Sequence, residues 1–415
     1  MSSKNNLYKT LGLVLSGGGA RGAYEAGVIH YIRTMLPPKV RSRHFDVVCG
    51  ASVGALNASF VAATAHDPKM QGENAFKLWE NVREEDIYRR DGKALWDFVS
   101  KSSKGMVSNL LNKAGSGQHF NGFLDTAPFL PFIKKIISWN RISQNIREGF
   151  VRAVSLVATN VFTGRMELFI EKAPDVEYTG EYITHFGKID PIHAMASAAI
   201  PIVFPSVMVD GIAYTDGGLR LNTPMSPAIQ LGADSVLVIG LHYRPPNNEV
   251  TFHGEIGKAP PLGQILGRVM NSIFLDRINY DLEQLERINR IIDWAEMLHG
   301  KTFVEDLNEM LVQKKIRGDI ANRGLKRITA LRIRPSQDIG EIFSECFQKN
   351  NQRHFSAFEK LLVRFLDIDP TKGIDFLSYI VFMPEYLKRL LELGFEDART
   401  NHDKLVNYFE GGKSI

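Results

Sequence analysis

Short apolar runs of strand length alternate with stretches of helical periodicity in the first part of the chain. Helical patterns cover residues 20–35 and 55–65, and each follows one of the runs closely. Strands that alternate with helices in this way are typical of an α/β layer with a mostly parallel sheet. The runs that we expect to form buried strands are residues 11–15, 45–49, 151–159 and 235–241.

After residue 250 the pattern becomes helical, with one interruption. The segment ITALRIRPS at residues 328–336 has the character of a strand that is ended by proline. We expect this late strand to join the sheet formed by the first part of the chain. The predicted organisation is therefore an α/β domain (1–250), a helical insertion (251–327), the late strand (328–336) and a helical C-terminal region (337–415).

Composition narrows the class of protein. The 415 residues are 44% hydrophobic and 23% charged, as in ordinary globular proteins, and the net charge of +4 does not indicate a nucleic-acid partner. Two cysteines, Cys49 and Cys346, exclude a disulfide framework and are too few for a cysteine-based zinc site. No run approaches the roughly 18 apolar residues of a membrane-spanning helix. We expect a cytoplasmic protein, or one that lies on a membrane without crossing it.

The first strand is followed by a glycine-rich loop, SGGGARG. Gly17, Gly19 and Gly22 have the spacing of a dinucleotide-binding turn. Such a site also needs an acidic residue at the end of the second strand to bind ribose. The candidate, Asp46, stands at the start of its strand, which is the wrong end of the sheet. The loop therefore fits a different role, because its free N–H groups at a helix N-terminus can stabilise an oxyanion.

The second run is followed by Gly50-Ala51-Ser52-Val53-Gly54. A serine at a sharp strand-to-helix turn projects its hydroxyl out of the sheet, as the nucleophile of a hydrolase does. The same serine could equally cap the helix that follows. The pattern and its placement favour neither interpretation of Ser52, as a nucleophile or as a helix cap.

A carboxylate that could act as the base follows the apolar segment VMVDGIAY. Asp216 is followed by Gly217 and Gly218, which favour a tight turn that exposes the acid. By itself an Asp-Gly-Gly sequence is more often an ordinary turn. Its interpretation depends on the serine and the glycine loop.

Taken together, GGGARG, GASVG and DGG resemble the three signatures of the patatin-like phospholipases, in the same order. Flanking segments are also similar to those of bacterial members: KLWENVREEDIYR, FLDTAPF, SLVATNVFTGR and ASAAIPIVFP. The resemblance continues through DRINYDLEQLERIN, LRIRPSQDIGEI and FLSYIVFMPEYLKRLLELGFEDA, so it extends over nearly the whole chain.

The resemblance implies a three-layer α/β/α patatin-like fold with a mostly parallel central sheet, residues 1–250 forming its catalytic domain. It also implies a serine lipid acyl hydrolase of phospholipase A, lysophospholipase or esterase type, which acts through a Ser–Asp dyad and an acyl-enzyme. Ser52 is then the nucleophile and Asp216 the general base. No metal and no cofactor are implied. The remaining implied site residues are the oxyanion hole (Gly17, Gly18, Gly19, Ala20 and Arg21) and the supporting glycines Gly50, Gly54, Gly217 and Gly218.

A Ser–Asp–His triad is the alternative mechanism. His242 follows the strand at 235–241 and is a candidate third member by spacing, although a histidine there is more often structural. A solvated aspartate, with a pKa of about 4, is a poor base for a hydroxyl. A dyad therefore requires an apolar pocket that raises the pKa of Asp216.

The substrate expected from the resemblance is a phospholipid, a lysophospholipid or another fatty-acyl ester, with peripheral membrane contact. We expect a lid at residues 100–122, and an acyl-chain entrance formed with the apolar residues of 123–132. A basic cluster over residues 314–327 is a candidate lipid contact, although a solvated face is more common. The helical apolar stripe at residues 355–366 favours core packing.

Two other function classes remain open. The same dyad could transfer the acyl group to an acceptor other than water, as an acyltransferase or thioesterase. A non-catalytic lipid-binding protein is the third alternative, although simple binding requires neither Ser52 nor Asp216. The sequence does not define the oligomeric state.

Overall fold

The apolar runs form the strands of one mixed sheet. The computed structural model describes residues 9–89, 122, 124–245, 265, 269, 278–313, 324–350 and 376–411. The strands within them are β1 (Leu11–Leu15), β2 (Val47–Ala51), β3 (Ala153–Asn160), β4 (Met166–Lys172), β5 (Ile183–Phe186), β6 (Val207–Val209), β7 (Ile212–Asp216), β8 (Ser235–Ile239) and β9 (Thr329–Ile333).

The sheet has the order β5-β4-β3-β2-β1-β8-β9, and β7 with its partner β6 branches from β3. Strands β9, β8, β1, β2 and β3 are parallel to one another. Strands β4 and β7 both run antiparallel to β3. The sheet is therefore mostly parallel, as expected. We call the edge at which β1, β2, β3 and β8 end the carboxyl edge.

Helices cover both faces of the sheet. In chain order they are α1 (Ala23–Met35), α2 (Pro38–Arg41), α3 (Val53–Ala63), α4 (Pro68–Asn81), α5 (Glu84–Ile87), α6 (Phe129–Ile136), α7 (Trp139–Glu148), α8 (Pro191–Ser197), α9 (Gly218–Leu221), α10 (Met225–Gln230), α11 (Ile278–His299), α12 (Phe303–Gln313), α13 (Ile339–Asn350), α14 (Leu377–Ile380), α15 (Pro384–Thr400) and α16 (His402–Glu410).

Alternate residues of the central strands face two different cores. Leu13 of β1 is buried in a large core shared with α1, α3, α15 and α16. Its neighbour Val14 points to the opposite face, where it packs with apolar residues of α10 and α11. This alternation is the pattern of a sheet that is covered on both sides. The expected three-layer α/β/α fold is confirmed.

Several element boundaries differ from the expected ones. The helix expected at 20–35 begins as a short 3₁₀ turn, Gly19–Gly22, before α1 starts at Ala23. Strand β2 starts two residues later than expected. It also ends two residues later, because the small residues Gly50 and Ala51 continue it. Asp46 precedes β2, and its carboxylate accepts the N–H of Leu11 at 2.7 Å. Asp46 therefore joins the starts of β1 and β2, at the edge opposite the glycine loop.

The C-terminal helix α15 packs closely against α1. A Cβ placed on Gly394 would lie 3.1 Å from the backbone nitrogen of Val28, and one on Gly27 would lie 2.9 Å from the carbonyl carbon of Leu391. Both glycines thus allow the two backbones to approach each other. The Tyr24 hydroxyl donates to Asp397 at 2.9 Å across the same contact. This part of the C-terminal region is therefore packed against the layer that carries the glycine loop.

Strand β9 extends the sheet next to β8, and residues Thr329 to Ile333 pair with Ser235 to Ile239 in parallel. Helices α11 and α12 precede it in the chain. The division into domains remains a prediction. Residues 100–121 of the lid expected at 100–122, Phe123 of the expected entrance and the apolar stripe at 355–366 lie outside the described residues. In the part of the chain that the structure describes, no helix is both long and apolar enough to cross a bilayer.

Candidate active site

Ser52 occupies a sharp turn between β2 and α3. Its backbone has φ 53° and ψ −127°, a strained conformation for a residue other than glycine. The glycines on either side are required by close backbone contact. A Cβ on Gly50 would overlap the carbonyl group of Gly54, and one on Gly54 would overlap that of Leu15. The pentapeptide therefore forms a tight elbow that places the Ser52 hydroxyl at the carboxyl edge.

Asp216 ends β7 at the same level of the sheet. The Ser52 hydroxyl donates to Oδ2 of Asp216 at 2.6 Å. The N–H of Gly218 donates to Oδ1 at 2.7 Å and fixes the carboxylate from the other side. Gly217 is needed because a Cβ there would lie 2.6 Å from the carbonyl carbon of Val157. The structure thus brings together two residues that are 164 positions apart in the chain.

The Asp216 carboxyl is completely buried. Burial raises the pKa of Asp216 to about 7, although the hydrogen bonds from Ser52 and Gly218 act in the opposite direction. A carboxylate with a pKa near neutrality is a stronger base than a solvated one. In the described part of the chain, no histidine bonds to this carboxylate. The environment matches the requirement of a dyad.

The glycine loop lies beside Ser52. A Cβ on Gly17 would lie 2.8 Å from the Cβ of Ser52, so the close approach requires glycine. The Gly17 N–H donates to the carbonyl of Asn222 at 3.1 Å, and the Arg21 N–H donates to Gly18 at 3.2 Å. Within the described residues, the N–H groups of three consecutive residues have no acceptor. These are Gly18, Gly19 and Ala20.

The Arg21 side chain is bound by residues of the C-terminal region. Its Nε and Nη2 atoms donate to the Ser378 hydroxyl at 3.0 and 2.6 Å. The guanidinium carbon lies 3.8 Å from the centre of the Tyr379 ring. Arg21 is buried, so its charge is held by these contacts with the C-terminal region. Its observed contacts are structural, since they fix α14 against the glycine loop.

A buried polar network supports the loop from below. Glu25 of α1 accepts the N–H of Ser16 at 2.8 Å and the side-chain amide of Asn57 at 2.7 Å. The same amide donates to the carbonyl of Gly22 at 3.1 Å, and Asn57 accepts the indole N–H of Trp79 at 2.9 Å. Burial raises the pKa of Glu25 well above its usual value. The network connects the start of the glycine loop to the helix that follows the nucleophile.

Ser197, at the end of α8, binds the backbone of Ser52. Its hydroxyl accepts the Ser52 N–H at 3.0 Å and donates to the carbonyl of Val157 at 2.5 Å. The hydroxyl is completely buried. The Ser52 N–H is therefore engaged in holding the elbow.

An apolar pocket extends from the dyad toward α4 and α6. Its empty volume, mouth included, is about 650 Å³. Aliphatic and aromatic side chains form most of the wall, and Ser52 is one of the lining residues. The lining residues are Gly19, Ser52, Val53, Leu56, Asn57, Phe60, Leu78, Trp79, Val82, Ile87, Phe129, Phe132, Ile133, Ile136, Ile137, Ala198, Ile200, Phe204, Tyr379 and Phe382.

Phe129 and Phe132, which we expected at an acyl-chain entrance, line this pocket. Leu124 and Leu130 pack into the large core instead. His242 is half-buried after β8 and does not bond to Asp216.

Sequence reasoning missed four groups that shape the site: Ser197, the Glu25–Asn57–Trp79 network, Tyr379 and Phe382. Most of these residues lie in segments whose sequence resembles the family. Trp79 lies in KLWENVREEDIYR, Ser197 in ASAAIPIVFP, and Tyr379 and Phe382 in FLSYIVFMPEY. A resemblance over a segment does not reveal which of its residues faces the nucleophile.

The chain is similar in sequence to known proteins. The family model described as patatin-like phospholipase matches residues 13–229. A cGAMP-activated phospholipase from Pseudomonas aeruginosa is 28% identical over 212 residues, which is 51% of this chain and 53% of the relative. The chain therefore spans about half the length of the curated relative that it matches.

Two solved structures were also compared with the chain. VipD from Legionella pneumophila is 15% identical with a TM-score of 0.34, covering 95% of this chain and 67% of VipD. Human GIVD cytosolic phospholipase A2, in complex with methyl gamma-linolenyl fluorophosphonate, is 9% identical with a TM-score of 0.43. The match covers 99% of this chain and 60% of the human chain. At these TM-scores neither structure adds to the argument. The family match extends over more than half of the chain and includes GASVG and DGG, so the chain belongs to the patatin-like phospholipase family.

Proposed function

We propose that this protein is a serine hydrolase of fatty-acyl esters, and that Ser52 and Asp216 form its catalytic dyad. The observation that carries the proposal is the 2.6 Å hydrogen bond between Ser52 Oγ and Asp216 Oδ2, and Ser52 also lines an apolar pocket. Family membership supports a lipid ester hydrolase. A binding protein would not require a strained serine that is bonded to a buried carboxylate.

In the first half of the reaction, Ser52 Oγ bonds to the ester carbonyl carbon while its proton passes to Asp216 Oδ2. The carbonyl oxygen becomes an oxyanion. When this intermediate collapses, the ester C–O bond breaks and Asp216 returns the proton to the departing alcohol oxygen. The product that remains is an acyl group bound to Ser52.

In the second half, a water molecule attacks the acyl carbon and gives its proton to Asp216. Collapse of this second intermediate breaks the bond to Ser52 Oγ, which takes the proton back from Asp216, and the fatty acid is released. The buried position of Asp216 suits both halves, because a pKa of about 7 lets the carboxyl accept and return a proton near neutral pH.

The oxyanion donors are drawn from Gly18, Gly19 and Ala20. Their N–H groups are without acceptors in the described structure, whereas Gly17 already donates to Asn222 and Arg21 to Gly18. This narrows the set of five residues that the resemblance implies. Removal of one oxyanion donor typically reduces turnover by about a hundredfold to a thousandfold.

The substrate class follows from the pocket. Its wall is apolar over nearly its whole surface, which favours a hydrocarbon chain and disfavours a polar acyl group. The acyl chain would occupy the space between α4 and α6, with its carbonyl beside Ser52. We propose phospholipids, lysophospholipids or related fatty-acyl esters as substrates.

Reaction with a fluorophosphonate probe, followed by peptide mass spectrometry, tests the proposal. We expect labelling of Ser52, with loss of both labelling and ester hydrolysis in Ser52→Ala. Ser59→Ala is the matched control, since Ser59 is a buried helical serine that bonds only to Ala55 within α3. Labelling at a different serine, or full activity of Ser52→Ala, would overturn the assignment.

A second comparison separates the dyad from a triad. We expect His242→Ala to keep most of its turnover and Asp216→Ala to lose it. A large loss of turnover in a folded His242→Ala variant would favour the triad instead. Product analysis with and without an added lipid alcohol then distinguishes hydrolysis from acyl transfer.

A further inference from the structure

Four large apolar side chains are exposed around the carboxyl edge of the sheet, close to the candidate active site. Their exposed fractions are 47% for Val161, 76% for Phe162, 61% for Ile202 and 56% for Met208. Exposed apolar side chains that cluster at one place mark an interaction surface, whereas scattered ones are ordinary. We call these four residues the rim.

Strand register places two rim residues, Val161 and Met208, at one level beyond the end of β3, with β7 between them. Ala158 of β3 pairs with Asp216, and the chain continues three residues further to Val161. At about 3.3 Å per residue this is a rise of about 10 Å. The Val161 N–H donates to the carbonyl of Ala213 at 2.9 Å, and Ala213 pairs with Met208 across the β6–β7 hairpin. Val161 and Met208 therefore lie at one level, beyond the dyad.

Phe162 is presented by an ordered turn. The side-chain oxygen of Asn160 accepts the N–H groups of Phe162 at 2.9 Å and Thr163 at 3.1 Å. Nε of Arg220 donates to the carbonyl of Gly164 at 2.8 Å and joins the turn to the helix that follows Asp216. The turn is thus fixed at both ends while its aromatic ring faces solvent.

Ile202 connects the rim to the pocket. Its neighbours Ile200 and Phe204 line the pocket, whereas Ile202 itself is exposed. Its φ of 70° is a strained conformation for a β-branched residue, at a cost of about 1–3 kcal/mol. The backbone is therefore held in a shape that turns this side chain outward beside the pocket.

Two arginines, Arg165 and Arg220, are exposed in and beside the Phe162 turn, and Asp210 at the hairpin tip contributes one negative charge. Apolar side chains next to basic ones are the composition that binds the headgroup region of an anionic bilayer. Of the basic cluster expected at 314–327, only the described members can be placed, and they lie elsewhere. Its described members, Lys326 and Arg327, precede β9, so they lie at the opposite edge, where they pair with Asp234, Asp293 and Glu296.

We propose that the rim is the surface by which this protein docks on a phospholipid bilayer, inserting Phe162 and Met208 between headgroups and turning the pocket mouth toward the lipid. The purpose of this docking rests on the proposed function, because a lipid ester must leave the bilayer to reach Ser52. Arg165 and Arg220 would then add an electrostatic attraction to anionic lipid.

Co-sedimentation with vesicles of phosphatidylcholine and phosphatidylglycerol tests the rim. We expect Phe162→Ala combined with Met208→Ser to reduce vesicle binding and hydrolysis of vesicle lipid about tenfold or more. Hydrolysis of a soluble short-chain ester should stay at the wild-type rate, which also shows that the variant is folded. Met35→Ser is the matched control: Met35 is 55% exposed at the end of α1, at the edge opposite the rim.

A second measurement uses Phe162→Trp with bromine-labelled lipid, which quenches indole fluorescence only on insertion. We expect stronger quenching than in the wild-type protein, and no increase for Met35→Trp. Wild-type vesicle binding that is absent, or that is unchanged in the double variant, would overturn the docking surface while leaving ester hydrolysis intact. Loss of hydrolysis in Ser52→Ala tests only the dyad. If the wild-type protein binds vesicles through the rim but hydrolyses no ester, the docking surface stands and the proposed function is wrong.

Discussion

The Ser197 hydroxyl holds the backbone of Ser52 by accepting its N–H at 3.0 Å while donating to Val157 of β3 at 2.5 Å. One buried side chain thus joins α8, the nucleophile elbow and the central sheet. The elbow has a strained φ of 53°, and such a conformation persists only when surrounding contacts fix it. Ser197 is therefore a positioning residue for the proposed nucleophile.

Ser197→Ala should reduce kcat by about tenfold to a hundredfold and leave KM nearly unchanged, because a small displacement of the nucleophile affects the chemical step more than binding. Steady-state kinetics on a soluble ester measure the two constants. Ser59→Ala removes an equally buried hydroxyl that bonds only within α3, so its kcat should stay near the wild-type value. An equal loss in both variants would mean that Ser197 acts only through general stability.

The pH dependence of kcat/KM should follow the ionisation of Asp216. Since burial raises the pKa of Asp216 to about 7 and the base must be deprotonated, activity should rise with pH, with its midpoint near pH 7, and then level off. A pH–rate profile on a soluble ester gives the midpoint. An unperturbed histidine titrates at about 6.5, so the profile must be repeated with His242→Ala. Disappearance of the midpoint in that variant would assign it to His242 instead of Asp216.

Asp216→Asn should abolish hydrolysis and stabilise the fold above pH 7. The folded pKa of Asp216 is raised, so between about pH 4 and 7 the folded state holds a proton that the unfolded state releases. Wild-type stability contributed by this group therefore falls as pH rises through that window. The free energy of unfolding of Asp216→Asn, measured relative to wild type by urea titration, should increase from about pH 4 to 7 by a few kcal/mol. A constant difference across this range would show that the carboxyl ionises normally.

Glu25→Gln should weaken both the fold and catalysis. Glu25 accepts two N–H donors, and an amide in its place directs its own NH₂ at one of them. Rotation of Asn57 to receive that NH₂ would deprive the Trp79 indole of its acceptor. We expect a loss of about 1–3 kcal/mol in unfolding free energy and a several-fold drop in kcat. In the control Glu171→Gln, the remaining oxygen can still accept the N–H of Ile189, so little change is expected.

Gly394→Ala should destabilise the protein by about 1–3 kcal/mol, because a methyl group there meets the backbone of α1 at Tyr24 and Val28. Thermal unfolding measures the loss. Gly187→Ala is the control, since a Cβ at that position would meet no atom within 4 Å. If both variants melt alike, the contact between α1 and α15 is looser than the structure indicates.

The sequence by itself was sufficient for the fold class, the family and the residues that we propose as the dyad. A run of five residues such as LGLVL is too short for a helix, and because it is apolar throughout it predicts a strand that is buried on both faces. The tight turn around Ser52 is encoded locally by Gly50 and Gly54. These features depend on neighbours in the chain, so pattern and spacing reveal them. Strand ends were less well predicted, because Gly50 and Ala51 continue β2 although neither has a strong preference for strands.

Only the tertiary structure decided which groups surround Ser52. The pairing of Ala158 with Asp216 sets the level of the carboxylate, and burial then moves its pKa toward neutrality. Tyr379 reaches the pocket from the far end of the chain, while the side chain of Arg21, a residue of the implied oxyanion hole, binds Ser378. Burial and pairing of this kind arise between residues that are from tens to hundreds of positions apart. Their physical cause is the packing of whole layers, which no local pattern records.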